Sequence, residues 1–445
     1  LTAFQPFPLK RGLSDTICNP DITMLRKILP FLILAALQWS CSDECTQTRT
    51  YTVWIPFTVG YETVRNGIAS AEPQDLKEPG KIYAYKQYLL IGEVKKGIHV
   101  IDNSDPRSPR PVSFIKIPGV LDFVVKNEML YADSYMDLVS LDLSDPLHIK
   151  ETGRKTGMFN RGIWNGRSWY YDSRTQTITD YTKEVRTESY KTNCGNDEPR
   201  FIGMGGSYDQ LSLNSGSSGS QGSPGGDVAG QGGSMARFTL YDHFLYTVTD
   251  TDLMVFDISN PATPDSTGKI NLGSGIETIF PYRDLLFIGS NTGMYIYDNQ
   301  NPEKPERMSI FSHARACDPV VAENDRAYVT LRSGPCGAAQ NQLQIINITN
   351  LQAPFLVKAY PMQQPHGLSV SGKTLTLCEG TYGLKSFDIT NENSIKELQH
   401  ITDHHAFDVI QLSGDILLVI GDDGFYQYSN ANPSQLQLLS KIAKK

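Results

Sequence analysis

Six charged side chains stand at corresponding points of a repeating pattern: Asp122, Arg237, Glu277, Asp318, His366 and Asp408. Each lies at the start of one strand of its repeat, so a ring of such strands would bring them to a common channel mouth. The carboxylates are the oxygen ligands a hard cation such as calcium takes, while Arg237 and His366 suit an anionic ligand. No spacing fixes a ligand count, so no metal or other cofactor is assigned, and solvation of a channel is the competing reading. His366 with Asp318 or Asp408 would make a general base and its orienting acid. No serine elbow or cysteine nucleophile completes that set, and no catalytic residue is assigned.

The cysteines carry a second candidate chemistry. They stand at 18, 41, 45, 194, 317, 336 and 378. Cys317 and Cys336 are the candidate disulfide, since antiparallel return within one unit brings their two loops together; separate buried thiols or a reactive site are the alternatives. There are no CxxC pairs for a zinc site. GMGGSYDQL at 203–211 has neither phosphate-binding glycine spacing and reads as a loop. Aromatic segments at 135–137, 164–172, 381–383 and 422–428 could line a saccharide or peptide surface, although packed sheets need aromatics too.

These side chains need elements to position them, and one phrase supplies the pattern. IHVIDNSDPRSP at 98–109 returns as LVSLDLSDPLHI at 138–149, LMVFDISNPATP at 253–264 and MYIYDNQNPEKP at 294–305. An apolar strand runs into Asp or Asn and then a proline turn, where the side-chain oxygen accepts nearby amides and the ring stops the ladder. Two further apolar runs precede each phrase and a weaker one follows. The repeat length is about forty residues, the size of a four-stranded propeller blade. The second strands begin near Tyr88, Met129, Trp169, Phe244, Leu285, Ala327, Thr374 and Ile416. The expectation is an all-β chain forming a single β-propeller of eight blades, with seven as the alternative because 169–181 has lost much of the phrase. YTVWIPFTV at 51–59 reads as an additional outer strand, and 214–234, rich in Gly and Ser, as a flexible insertion.

The repeated phrases resemble the LVIVD repeat family of extracytoplasmic bacterial proteins. Variants of its signature are IHVID at 98–102, LVSLD at 138–142, LMVFD at 253–257, MYIYD at 294–298, LQIIN at 343–347 and LKSFD at 384–388. The resemblance covers roughly residues 80 to 442. It implies a propeller, often in a lipoprotein, and brings no catalytic residues with it.

The amino-terminal part reads as an address. Residues 1–23 look like an upstream extension foreign to the native protein, and 24–40 like a signal peptide, with Arg26 and Lys27 before the apolar run 28–37. Cys41 in LQWSCSDEC is the expected lipidated residue, although Gln38 and Trp39 depart from the usual processing motif. Residues 41–79 then form a lipoprotein tether and strand segment, and 80–442 the propeller. Anchored this way, the chain would sit on a bacterial cell-envelope membrane without spanning it, and the acidic residues after Cys41 point to the outer-membrane surface. The formal charge is -8, from 40 basic and 48 acidic residues, with no basic tract to neutralise phosphates, which argues against nucleic acid. The expected role is a noncatalytic extracytoplasmic scaffold binding a ligand, envelope protein, peptide or glycan. A structural envelope lipoprotein is the alternative, and a propeller hydrolase or lyase stands behind both.

Overall fold

The computed structural model describes residues 44–159, 161–164, 167–193, 231–313, 319–333, 340–412 and 415–445. They form eight antiparallel sheets and one short helix, Tyr61–Arg65. The fold is an all-β propeller.

Each of the eight second strands inferred from the sequence lies in its own sheet. In ring sheet one the four blade strands are Pro79–Tyr85, Tyr88–Glu93, Gly97–Asp102 and Arg110–Lys116. Sheet two begins with Phe123–Lys126, three with Phe238–Tyr241, four with Ile276–Tyr282, five with Val320–Glu323, six with Leu368–Ser371 and seven with Asp408–Leu412. The phrase itself is the third strand and is buried on both faces, which accounts for its nearly unbroken apolar run: Leu253, Val255 and Phe256 are each fully buried. Every such side chain contributes on the order of 1.5–3 kcal/mol before opposing terms.

The first strands of sheets two and three touch each other directly, so among the described residues the circuit of inner strands runs through seven sheets. The remaining sheet, the side sheet, is ordered Glu44–Gly60, Thr177–Asn193, Arg167–Asp172 and Arg161–Trp164. It contains Trp169, whose segment had lost the phrase. The paired ends of its two long strands, residues 44–51 and 185–193, belong to a separate compact unit, where Tyr51 Oη donates to Glu188 at 2.6 Å. The stretch 51–59 thus lies in the side sheet, not on the outside of a blade. The outermost strand of sheet one is instead Ala69–Ala71, paired with Arg110–Lys116. A 17-residue strand finds its partner in another long strand, whereas the blade edge spans only seven.

The repeated turn is a pair of side-chain-closed loops. Ser104, Ser144, Ser259 and Thr390 donate their amides to the Oδ1 of Asp102, Asp142, Asp257 and Asp388, at 2.7–3.0 Å. Three residues beyond each of these carboxylates a second Asp or Asn does the same, as at Arg107 N to Asp105 Oδ1, 3.0 Å. The turn then serves the neighbouring sheet. Ser113 Oγ of sheet one donates to Pro146 O of sheet two at 2.6 Å, Tyr246 Oη of three to Pro302 O of four at 2.7 Å, and Ser386 Oγ of six to Pro433 O of seven at 2.6 Å. Ser440 Oγ of sheet seven completes the circuit on Pro106 O of sheet one at 2.7 Å. A shared core backs this junction, with Ile82 and Leu89 packed with Ile410, Leu418 and Phe425. Between third and fourth strands, every ring sheet shifts register by a bulge, which twists the outer strand away from edge pairing.

Candidate functional site

The chain that returns to the ring at sheet three crosses the channel first. Gln231 and Gly232 pair with Ala84 and Tyr83, adding an innermost strand to sheet one. Ser234 Oγ accepts from Leu368 N of sheet six at 2.9 Å and lies 3.4 Å from Asp408 Oδ1 of sheet seven. Ala236 O accepts from Ile279 N of sheet four at 2.8 Å. Gly233 has to be glycine here, since a Cβ would stand 2.1 Å from Asp408 Oδ2. Residues 214–230 of the expected insertion lie outside the described residues, but its last positions are packed: Ser234 is 2% exposed.

Two of the six expected channel residues are drawn together by this crossing. Asp122 accepts from the amides of Arg237 and Phe238, at 2.6 and 3.2 Å, from its neighbour Phe123 N at 2.7 Å, and from Lys81 Nζ. Burial pulls the lysine below its usual range and pushes the aspartate above its own, against the attraction between them. Asp408 is likewise held well above the carboxylate range by burial. These carboxylates hold the crossing segment.

Farther round the channel, His366 is buried, its Nδ1 engaged by Gln364 O at 2.8 Å, and desolvation with the nearby charge of Arg332 keeps it neutral. Glu277 is half-buried and acts electrostatically on Arg332, a residue the sequence pattern had not singled out. Asp318 lies outside the described residues, as do Cys41, Cys317 and Cys336. Cys378 is a free, buried thiol, raised well above its normal pKa by desolvation. Among the described residues no group of three or more His, Cys, Asp or Glu side chains could hold a metal ion. No helix among them is long and apolar enough to cross a membrane. Of the aromatic segments, Tyr135, Trp169, Phe425, Tyr426 and Tyr428 are core, while Tyr170 and Tyr382 are exposed.

A crevice opens where the side sheet meets sheets two and three. Asp122, Asp133, Arg237, Phe159, Arg161 and Trp169 are among the residues that line it. Lys95 Nζ and Tyr135 Oη pin the side sheet through the two oxygens of buried Asp180, at 2.7 and 2.9 Å. Tyr135 then meets Trp169 edge to face, with ring centres 5.4 Å apart. Arg161 Nη2 bonds Asp250 Oδ2 at 2.9 Å. Asp133 Oδ1 accepts from Leu121 N and Asp122 N, both at 2.8 Å, and burial pushes its carboxyl up to about 7. In the sequence, Asp133 was hidden inside a strand read as core, MLYADS. Glu93, one register position farther along the second strand of sheet one, also accepts two loop amides, from Lys77 and Glu78 at 3.0 and 2.7 Å. In both sheets an acidic residue near the end of the second strand anchors the incoming loop.

No curated protein matches the chain. Among solved structures, the computationally designed Ika8 protein is 8% identical with a TM-score of 0.50, covering 84% of this chain and 92% of its own. A protein from Lactobacillus plantarum is 13% identical with a TM-score of 0.47, covering 82% and 96%. BamB from Moraxella catarrhalis is 8% identical with a TM-score of 0.45, covering 85% and 97%. The family model of the LVIVD repeat matches residues 232–271, a span that contains the channel-crossing segment from Gly232 onward and the whole of ring sheet three. The chain thus carries an LVIVD repeat, set within an all-β propeller.

Proposed function

We propose that this propeller is a noncatalytic extracytoplasmic binding scaffold, tethered to the cell envelope through Cys41. The observation that supports it most is how the candidate reactive groups are spent. Asp122 and Asp408 hold the crossing segment, and His366 is buried and bonded to a backbone carbonyl. Groups committed to internal bonds in this way stabilise a rigid ring, and a rigid ring presents its loops at low entropic cost to a partner. In this reading the ring has seven blades, and the side sheet is not one of them. An envelope protein, peptide or glycan is the partner class.

The test is a binding screen of the purified chain from residue 42 onward against envelope proteins and glycans, run beside a hydrolase and lyase turnover screen. Saturable binding to a defined partner, unchanged by His366→Ala, supports the scaffold. Turnover abolished by that substitution would favour an enzyme, and failure across both screens would move the reading to a purely structural envelope role.

A further inference from the structure

The crevice between the side sheet and sheets two and three is lined by three carboxyls, Asp122, Asp133 and Asp250, and two guanidiniums, Arg161 and Arg237. Around it, most charged groups are already matched. Asp122 is saturated by Lys81 and three amides, and Arg161 is paired with Asp250. The guanidinium of Arg237 is not: its backbone amide is bonded, but among the described residues its side chain makes no hydrogen bond or ion pair. It is half-buried, lines the crevice, and acts electrostatically on Asp133 within it. A half-buried guanidinium bonds an anion more strongly than it bonds water, and its planar fork matches the two oxygens of a carboxylate.

The other walls narrow the choice. Phe159 and Trp169 form an aromatic side. Trp169 is 2% exposed and its Nε1–H has no hydrogen-bond partner. Gly162 leaves room for that indole, since a Cβ there would stand 2.2 Å from Nε1. Asp133 has one oxygen engaged by two amides, so protonation of the other turns a repelling carboxylate into a second donor. A flat apolar wall, a fork-shaped cation and a convertible acid suit a small planar anion better than a bulky tetrahedral one.

We propose that this crevice binds a small organic carboxylate, free or as the terminus of a longer ligand, with Arg237 as the principal anion-binding residue. The proposal deepens the scaffold reading and rests on it for the noncatalytic role of the site. Asp133 takes up a proton as the carboxylate enters, so binding tightens as the pH falls from about 8 to about 6.

The test follows the indole N–H resonance of Trp169, assigned by its loss in Trp169→Phe, as sodium acetate is added to the full chain. Acetamide serves as the neutral control and inorganic phosphate as the tetrahedral anion. Acetate is expected to move the resonance saturably with a Kd in roughly the millimolar range. Arg237→Gln should weaken binding by about tenfold or more with an unchanged melting temperature. Should that variant fail to fold, Arg237→Lys, which keeps the charge and loses the fork, should weaken acetate binding severalfold. An indole resonance unmoved by acetate, or moved equally by acetamide, overturns the proposal, as does acetate binding indifferent to Arg237. Stronger binding of phosphate would replace a carboxylate site by a general anion site. None of these outcomes touches the partner screen, so the scaffold reading and the crevice can fail separately.

Discussion

Ser440 Oγ donates to Pro106 O at 2.7 Å although 334 positions of chain separate them, and the bond repeats the one Ser113 makes to Pro146 between the first two ring sheets. Gln427 Nε2 reinforces the junction on Asn103 Oδ1 at 2.7 Å. Ser440→Ala should therefore cost about 1 kcal/mol in urea unfolding. Deleting 437–445 removes the whole outer strand of sheet seven and should cost several times as much, with a lower denaturant dependence if the opened ring melts in parts.

Asp122 gathers a buried ammonium and three amides, so its removal strands them all. Asp122→Ala should destabilise the protein by about 3–5 kcal/mol. The double variant Lys81→Met with Asp122→Leu should recover part of that loss, because it removes the uncompensated charge; equal losses in single and double variants would contradict the pairing.

Gly233 touches Asp408 too closely for any side chain. Gly233→Val should cost about 1–3 kcal/mol through overpacking. Gly157, whose open surroundings would meet nothing within 4 Å but whose φ is +68°, should tolerate Asn better than Val.

Asp133 has its folded pKa raised to about 7, above the roughly 3.9 of an unfolded aspartate. Between those values the folded chain holds more protons than the unfolded one, so this group makes stability fall as pH rises from about 4 to about 7 and adds no further change above. Asp133→Asn keeps an acceptor for the two amides and removes the titration. Thermal melts should show it about 1–2 °C more stable than the parent at pH 8 and no more stable at pH 4.

The turn carboxylates run the other way. Asp142 and Asp257 are lowered by hydrogen bonds from the serines two residues on, so their contribution is present above about pH 4 and lost as pH falls below it. Acid titration of Asp257→Asn, which preserves the acceptor, should show a shallower loss of stability below pH 4 than the parent.

These residues show what could be read in advance. The phrase announced its strand and turn because Asp257, Asn260 and Pro261 act locally, within a few positions of the amides they bond. Burial on both faces made Leu253 to Phe256 equally plain. The partners of that turn were illegible, since Pro302 O meets Tyr246 Oη across 56 residues and no local pattern encodes the meeting. The crossing segment was read as loop for the same reason. Its Gly232, Gly233 and Ser234 bring little apolar area, and their packing comes from sheets one, six and seven. The segment around Trp169 kept the strand signals of a blade and formed a sheet, but what decides membership of the ring is whether sheets two and three leave room for it. Asp122 and Asp408 stand at the starts of inner strands, yet their partners Lys81 and Ser234 come from a strand and a turn that the repeat alone does not align with them.

The passage of residues 231–236 through the middle of the ring also sets an order of assembly. Their partner strand in sheet one emerges before them, but Leu368 and Asp408 follow more than a hundred residues later. A growing chain can lay down its early blades and still lack the far walls of its own hub. The hub must wait, loosely held, until the last two ring sheets swing round it, so vectorial synthesis alone cannot finish the structure.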